Sequence, residues 1–96
     1  MTFKQETIQR ALNAEDLEGL LQVGAPPDEY ESEAQMIANA VTHTNEDELT
    51  EDRLADLIRD VWIETSGPFS QAEIDRRSSG FHSVARRVFS GRAQAQ

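Results

Sequence analysis

Residues 69–74 read Phe-Ser-Gln-Ala-Glu-Ile, and this hexapeptide leaves the backbone little choice. A serine followed three residues later by glutamate is a capping box. Each side chain satisfies a backbone N–H that a new helix leaves open. Phe69 and Ile74 flank the box at the two positions that form a hydrophobic staple. Residues 49–54, Leu-Thr-Glu-Asp-Arg-Leu, repeat the logic. Thr50 is the cap, Leu49 and Leu54 are the staple, and Glu51 and Asp52 sit at the positive end of the helix dipole. Apolar residues then recur at helical spacing: Leu54, Leu57, Ile58, Val61 and Trp62 after one start, and Ile74, Phe81, Val84, Ala85 and Val88 after the other. Gly67-Pro68 stops the first of these helices. Gly80 interrupts the second stripe and marks either a close helix crossing or a break.

An earlier helix is expected from about Asp28 to Thr42, because Tyr30, Ala34, Ile37, Ala38 and Val41 share one face. Its approach, residues 24–34, holds two prolines and then Asp28, Glu29, Glu31 and Glu33. Gly24 ends the preceding element and the prolines impose an extended lead-in. Asp28 is the expected cap, with Glu31 three residues on, so the carboxylates read as a helix start. The alternative is a ligand or partner site on the same four side chains. Residues 3–23 present Ile8, Ala11 and Leu12 on one face and Leu17, Leu20 and Leu21 on the opposite one. Either the helix breaks near Asn13, which would cap a short second helix, or one helix is buried on both sides. The break is the preferred reading. No stretch carries a strand pattern. The expected fold is therefore all-α, a small antiparallel bundle of four main helices whose first helix is broken near Asn13. One domain should span residues 1–91, with a flexible tail at 92–96. The core should hold Tyr30, Ile37, Val41, Leu54, Leu57, Ile58, Val61, Ile74, Phe81, Val84 and Val88.

Composition narrows the function classes. A chain of 96 residues forms one small domain, too small for a large enclosed active site. It has no cysteine, which excludes disulfides, thiol catalysis and cysteine-based zinc sites. No apolar run approaches the roughly 18 residues of a membrane span. The start of the chain lacks a signal-peptide core. A cytoplasmic, soluble protein with no membrane association is expected. The net charge is −9, unevenly distributed. Residues 1–65 hold sixteen Asp/Glu against four Lys/Arg, giving −12, and residues 66–96 hold two against five, giving +3. That balance argues against nucleic acid as a partner and for a basic protein, or for pairing between the two halves.

Gly24, Asp28, Glu29, Tyr30, Glu33 and Ala34, placed between a Leu-rich segment and a helix, resemble a family of small acidic bacterial proteins often called YugE-like. Its members share a glycine, an aspartate-glutamate-tyrosine turn and a Glu-Ala opening of the next helix. The aromatic residue that closes the third helix, here Trp62, is similar too. Family members often carry Asp-Pro before the glycine, where this chain has Leu21-Gln22. The resemblance implies a four-helix fold and little chemistry, because the family's role is uncharacterised. Small acidic proteins of this kind also occur as immunity partners of bacterial toxins, which is an analogy.

Motifs for chemistry are sparse. His43 and His82 stand alone, with no zinc-hydrolase spacing, and each reads as a structural or solvent-facing residue. His43 should lie near the C-terminal end of its helix. Residues 43–52 are rich in oxygen ligands but lack the order of a calcium loop. No phosphate-binding glycine loop and no nucleophile elbow is present. Ser78, Ser79 and Ser83 lie near His82 with no third group placed by motif. No catalytic residue, metal site or cofactor is expected. One pattern stands out. Asp52, Asp56, Asp60 and Glu64 follow one another at intervals of four and form a single row of like charge. Each such pair costs an isolated helix about 0.2–0.5 kcal/mol. Either Arg76, Arg77, Arg86 and Arg87 neutralise the row, or an outside cation does. The expected function is a non-enzymatic protein–protein interaction module with this row as partner face. The alternative is an immunity-type inhibitor that masks a basic toxin such as a nuclease.

Overall fold

The computed structural model describes residues 4–26 and 28–94. Four helices follow one another: α1 (Gln5–Glu15), α2 (Glu31–Thr42), α3 (Glu51–Ser66) and α4 (Gln71–Gln94), with a short 3-10 turn at Glu46–Glu48 before α3. Among the described residues there is no strand. Each helix packs against two others in the ring order α1–α2–α3–α4. The second half of α4 returns to the start of α3, where Arg86 lies 3.6 Å from Glu51. The fold is the small all-α bundle that the apolar periods require.

The two capped helix starts form as the sequence predicts. Ser70 Oγ accepts from the Glu73 N–H at 3.2 Å and Glu73 Oε1 accepts from the Ser70 N–H at 3.3 Å. Thr50 Oγ1 accepts from the Arg53 N–H at 3.1 Å. Asp28 behaves differently. Helix α2 begins only at Glu31, its N-cap is Tyr30, and no side chain caps it. The Asp28 carbonyl, not its carboxylate, receives the Glu31 N–H, at 3.0 Å. The turn over residues 28–30 sets the helix start three residues downstream, and Pro27 lies outside the described residues.

The first helix does not break at Asn13. It continues to Glu15 and ends at Asp16, whose φ of 46° is left-handed and whose N–H closes onto the Leu12 carbonyl at 2.8 Å. Aspartate tolerates that conformation better than most residues. No second short helix follows. Residues 17–24 form a run of turns that ends at Gly24, φ 101°. Leu17, Leu20 and Leu21 reach the core from this irregular segment. Gly80 sits inside an unbroken α4. A β-carbon there would collide with the Leu17 side chain, so the glycine is a notch that admits Leu17. The tail expected at residue 92 is helical through Gln94, and residues 95–96 lie outside the described residues.

The core is one cluster. Ile8, Ala11 and Leu12 join Tyr30, Ala34, Ile37, Val41, Leu54, Ala55, Ile58, Val61, Trp62, Phe81, Val84, Ala85 and Val88. Leu57 and Ile74, expected inside, are half-buried. Leu57 lies on the flank of the α3 stripe, and Ile74 lies in the first turn of α4, at the end of the bundle.

Ile58→Ala should lower the unfolding free energy by about 2–5 kcal/mol, and Leu57→Ala by clearly less, because only the first leaves a closed cavity. Thr50→Ala and Ser70→Ala should each cost about 0.5–2 kcal/mol. Asp28→Ala, with no capping bond to lose, should stay within about 0.5 kcal/mol. Urea titrations of the six proteins, wild type included, check the ranking.

Candidate functional site

Two groups of acidic side chains carry the chemistry of this surface. The first is the row on α3. Asp52 is 90% exposed, and the carboxylates of Asp56 and Asp60 are about half-exposed. Glu64 is exposed as well. Arg59, on the same helix, bridges the middle of the row: Nη1 lies 3.5 Å from Asp56 and Nη2 lies 3.2 Å from Asp60. His82 Nδ1 stands 3.7 Å from Asp52.

Arg77, Arg86 and Arg87 of α4 pair with carboxylates outside this row. Arg77 is bonded to Glu18, Arg87 to Glu15 at 2.6 Å, and Arg86 faces Glu51. Arg76 is exposed. The pairing between the acidic and basic halves therefore exists, but its acceptors are the end of α1, the turn after it and the first residue of α3.

The second group surrounds Glu18 and was not foreseen from the sequence. Glu18 Oε1 accepts from the Trp62 indole N–H at 2.8 Å and from Arg77 Nε at 2.7 Å, while Oε2 accepts from Arg77 Nη2 at 3.0 Å. The arginine fork is thus bidentate, the strong form of such a pair. Arg77 also donates to the Glu73 carbonyl and stands 4.4 Å over the Phe69 ring. Two residues earlier, Asp16 accepts from the Tyr30 hydroxyl at 2.6 Å and from the N–H groups of Leu21 and Gln22, each at 3.1 Å. The Tyr30 oxygen in turn accepts from the Glu18 N–H at 3.3 Å. Tyr30, Trp62 and Phe81 form an aromatic row beneath, with centroids 5.6 Å and 6.5 Å apart.

These bonds set the protonation states. Arg77 holds the Glu18 carboxyl below its ordinary value, against the opposing effect of burial. At Asp16 burial raises the pKa, but the Tyr30 hydroxyl and the backbone N–H groups together outweigh it, and the net direction is down. Burial, reinforced by the Asp16 carboxylate, pushes the Tyr30 phenol up to about 12.

The motif segment spreads over several environments. Gly24, Asp28 and Glu29 are exposed, Tyr30 and Ala34 are in the core, and Glu33 is half-buried. Glu33 Oε2 is enclosed with no hydrogen-bond partner among the described residues. The four carboxylates do not converge. A shallow groove of about 240 Å³ opens beside them, lined by Glu6, Gln9, Arg10, Asn13 and Asp28. Its Arg10 is already paired with Glu6. His43 lies at the C-cap of α2, with Nδ1 2.8 Å from the Asn39 carbonyl. Among the described residues no three His, Asp or Glu side chains are grouped to hold a metal, and no helix is long and apolar enough to cross a membrane.

The pH dependence of stability follows from the Glu18–Asp16–Tyr30 cluster. The carboxyls are depressed in the folded state, so the stability they supply is complete above the ordinary carboxylate range near pH 4 and is lost as pH falls through and below it. Tyr30 is raised, so its contribution is complete below pH 10 and is lost as pH rises from 10 to about 12. Tyr30→Phe should remove that alkaline loss and, at neutral pH, cost about 0.5–1.5 kcal/mol for the missing bond to Asp16. Chemical denaturation across pH 3–12 measures both limbs.

Comparison with protein-family models, curated proteins and solved structures finds no match to this chain.

Proposed function

We propose that the chain is a non-enzymatic interaction module that binds a basic protein through Asp52, Asp56, Asp60 and Glu64. The observation that carries this reading is the engagement of the α4 arginines elsewhere. Arg77, Arg86 and Arg87 meet Glu18, Glu51 and Glu15, so among the described side chains Arg59 is the one arginine paired with the row, with His82 beside Asp52. Four carboxylates against one guanidinium leave a negative face. Its charges recur about 6 Å apart along a rigid helix. Such a face attracts a cationic surface and speeds its approach, with an effect that fades as salt rises. Selection for stability alone would place alternating signs at these positions.

The test separates this face from net charge. A row variant carries D52N, D56N, D60N and E64Q. A control variant loses the same charge from the exposed α2 approach and first turn, through D28N, E29Q, E31Q and S32K. Tagged wild type, row variant and control are used for affinity capture from cells of the source organism at low salt. A basic protein retained by the wild type and the control, and lost from the row variant, is the expected result. Retention by the row variant removes the face from the account. Capture of a basic nuclease would assign the module to toxin masking.

A further inference from the structure

The geometry points to residues 17–24 being a strap that lifts from the bundle as a unit while the four helices stay folded, with Glu18 as its latch. Among the described residues, the backbone hydrogen bonds of this segment stay local. The Gly19 N–H goes to Asp16, those of Val23 and Ala25 go to Leu20, and that of Gly24 goes to Leu21. No helical ladder ties the strap to a neighbour. Its ties to the bundle run through side chains: Glu18 to Trp62 on α3 and to Arg77 on α4, the Glu18 N–H to the Tyr30 hydroxyl, and the Leu21 and Gln22 N–H groups to the Asp16 carboxylate at the end of α1. Its apolar grip is partial, because Leu17, Leu20 and Leu21 are half-buried and Val23 is 81% exposed. Both ends carry left-handed residues, Asp16 and Gly24, where the chain direction changes sharply. Few buried contacts and a self-contained backbone are the marks of a segment that opens at less cost than the whole fold. Lifting it withdraws Leu17 from the notch at Gly80 and uncovers the indole edge of Trp62, next to Tyr30 and Phe81. The strap is thus a built-in cover over an aromatic surface, separate from the acidic row.

Trp62, the single tryptophan, carries two protons that distinguish strap from helix. Its indole N–H is bonded to Glu18, and its backbone N–H lies within α3. Hydrogen exchange followed by NMR on the full chain, in urea below the unfolding transition, reads both. Independent strap opening gives the indole proton at least about tenfold lower protection than the backbone proton, with little dependence on urea. Equal protection and equal urea dependence would overturn the proposal. Two variants sharpen the reading. Glu18→Gln keeps an acceptor but removes the charge that Arg77 grips, so indole protection should fall about tenfold further than that of the Trp62 amide. Gly80→Ala favours helix while filling the Leu17 notch, so indole protection should fall while amide protection holds or rises. If either variant that folds moves the two protons by the same factor, the strap is part of the global unit and the inference fails.

Discussion

The path of the chain from α1 to α2 depends on the carboxylate of Glu18. Fifteen residues separate α1 from α2, more than a helical bundle ordinarily uses to join neighbours. Such a link costs conformational entropy in proportion to what is ordered. Glu18 offsets that cost by satisfying groups from two other helices, the Trp62 indole N–H and the Arg77 fork. Both would otherwise leave donors unpaired in a largely apolar setting, and a donor left unpaired costs more than a made bond contributes. Asp16 completes the arrangement from the other side. It turns the chain out of α1 and organises the next turn through the N–H groups of Leu21 and Gln22. A short acidic pair thus gives a long irregular connection one ordered, closed arrangement on the bundle.

The elements most legible in the sequence were those whose causes are local. The caps at Thr50 and Ser70 lie within three residues of their partners, and the apolar stripes of α3 and α4 need only helical period. The segment around Glu18 could not be read that way. Its partners are 44 and 59 positions away, and its leucines have a spacing that imitates a second helix. Two hints were present. A lone tryptophan at the edge of an apolar stripe needs an acceptor for its N–H, and Gly19 and Gly24 bracket Leu20 and Leu21. Asp28 misled for the opposite reason. It stands where a cap is expected, but a turn over residues 28–30 comes before the helix begins.

The candidate site was legible as a pattern and not as a balance of charge. The row on α3 follows from spacing alone. Which cations face it depends on the rotation and register of α4, and these are set by Phe81, Val84, Ala85 and Val88 entering the core. That packing directs Arg77 and Arg87 toward the α1 side and His82 and Arg86 toward the start of α3. The core thus decides which negative charges of the surface remain available.

The closing of the helix ring has a consequence for biosynthesis. The contacts that complete it join α1 and its outgoing turn to α4, through Arg87 with Glu15 and Arg77 with Glu18, across 72 and 59 residues. A chain emerging from the ribosome makes α1 first and α4 last. Until residue 88 is available, the inner faces of α1 and α3 lack Phe81, Val84 and Val88, and the Glu18 latch lacks its arginine. Two helices with local caps can form early, yet the bundle is committed only when its final helix arrives. Closure of this bundle therefore waits for α4, and a ribosome that stalls within α4 leaves an open, apolar-faced intermediate.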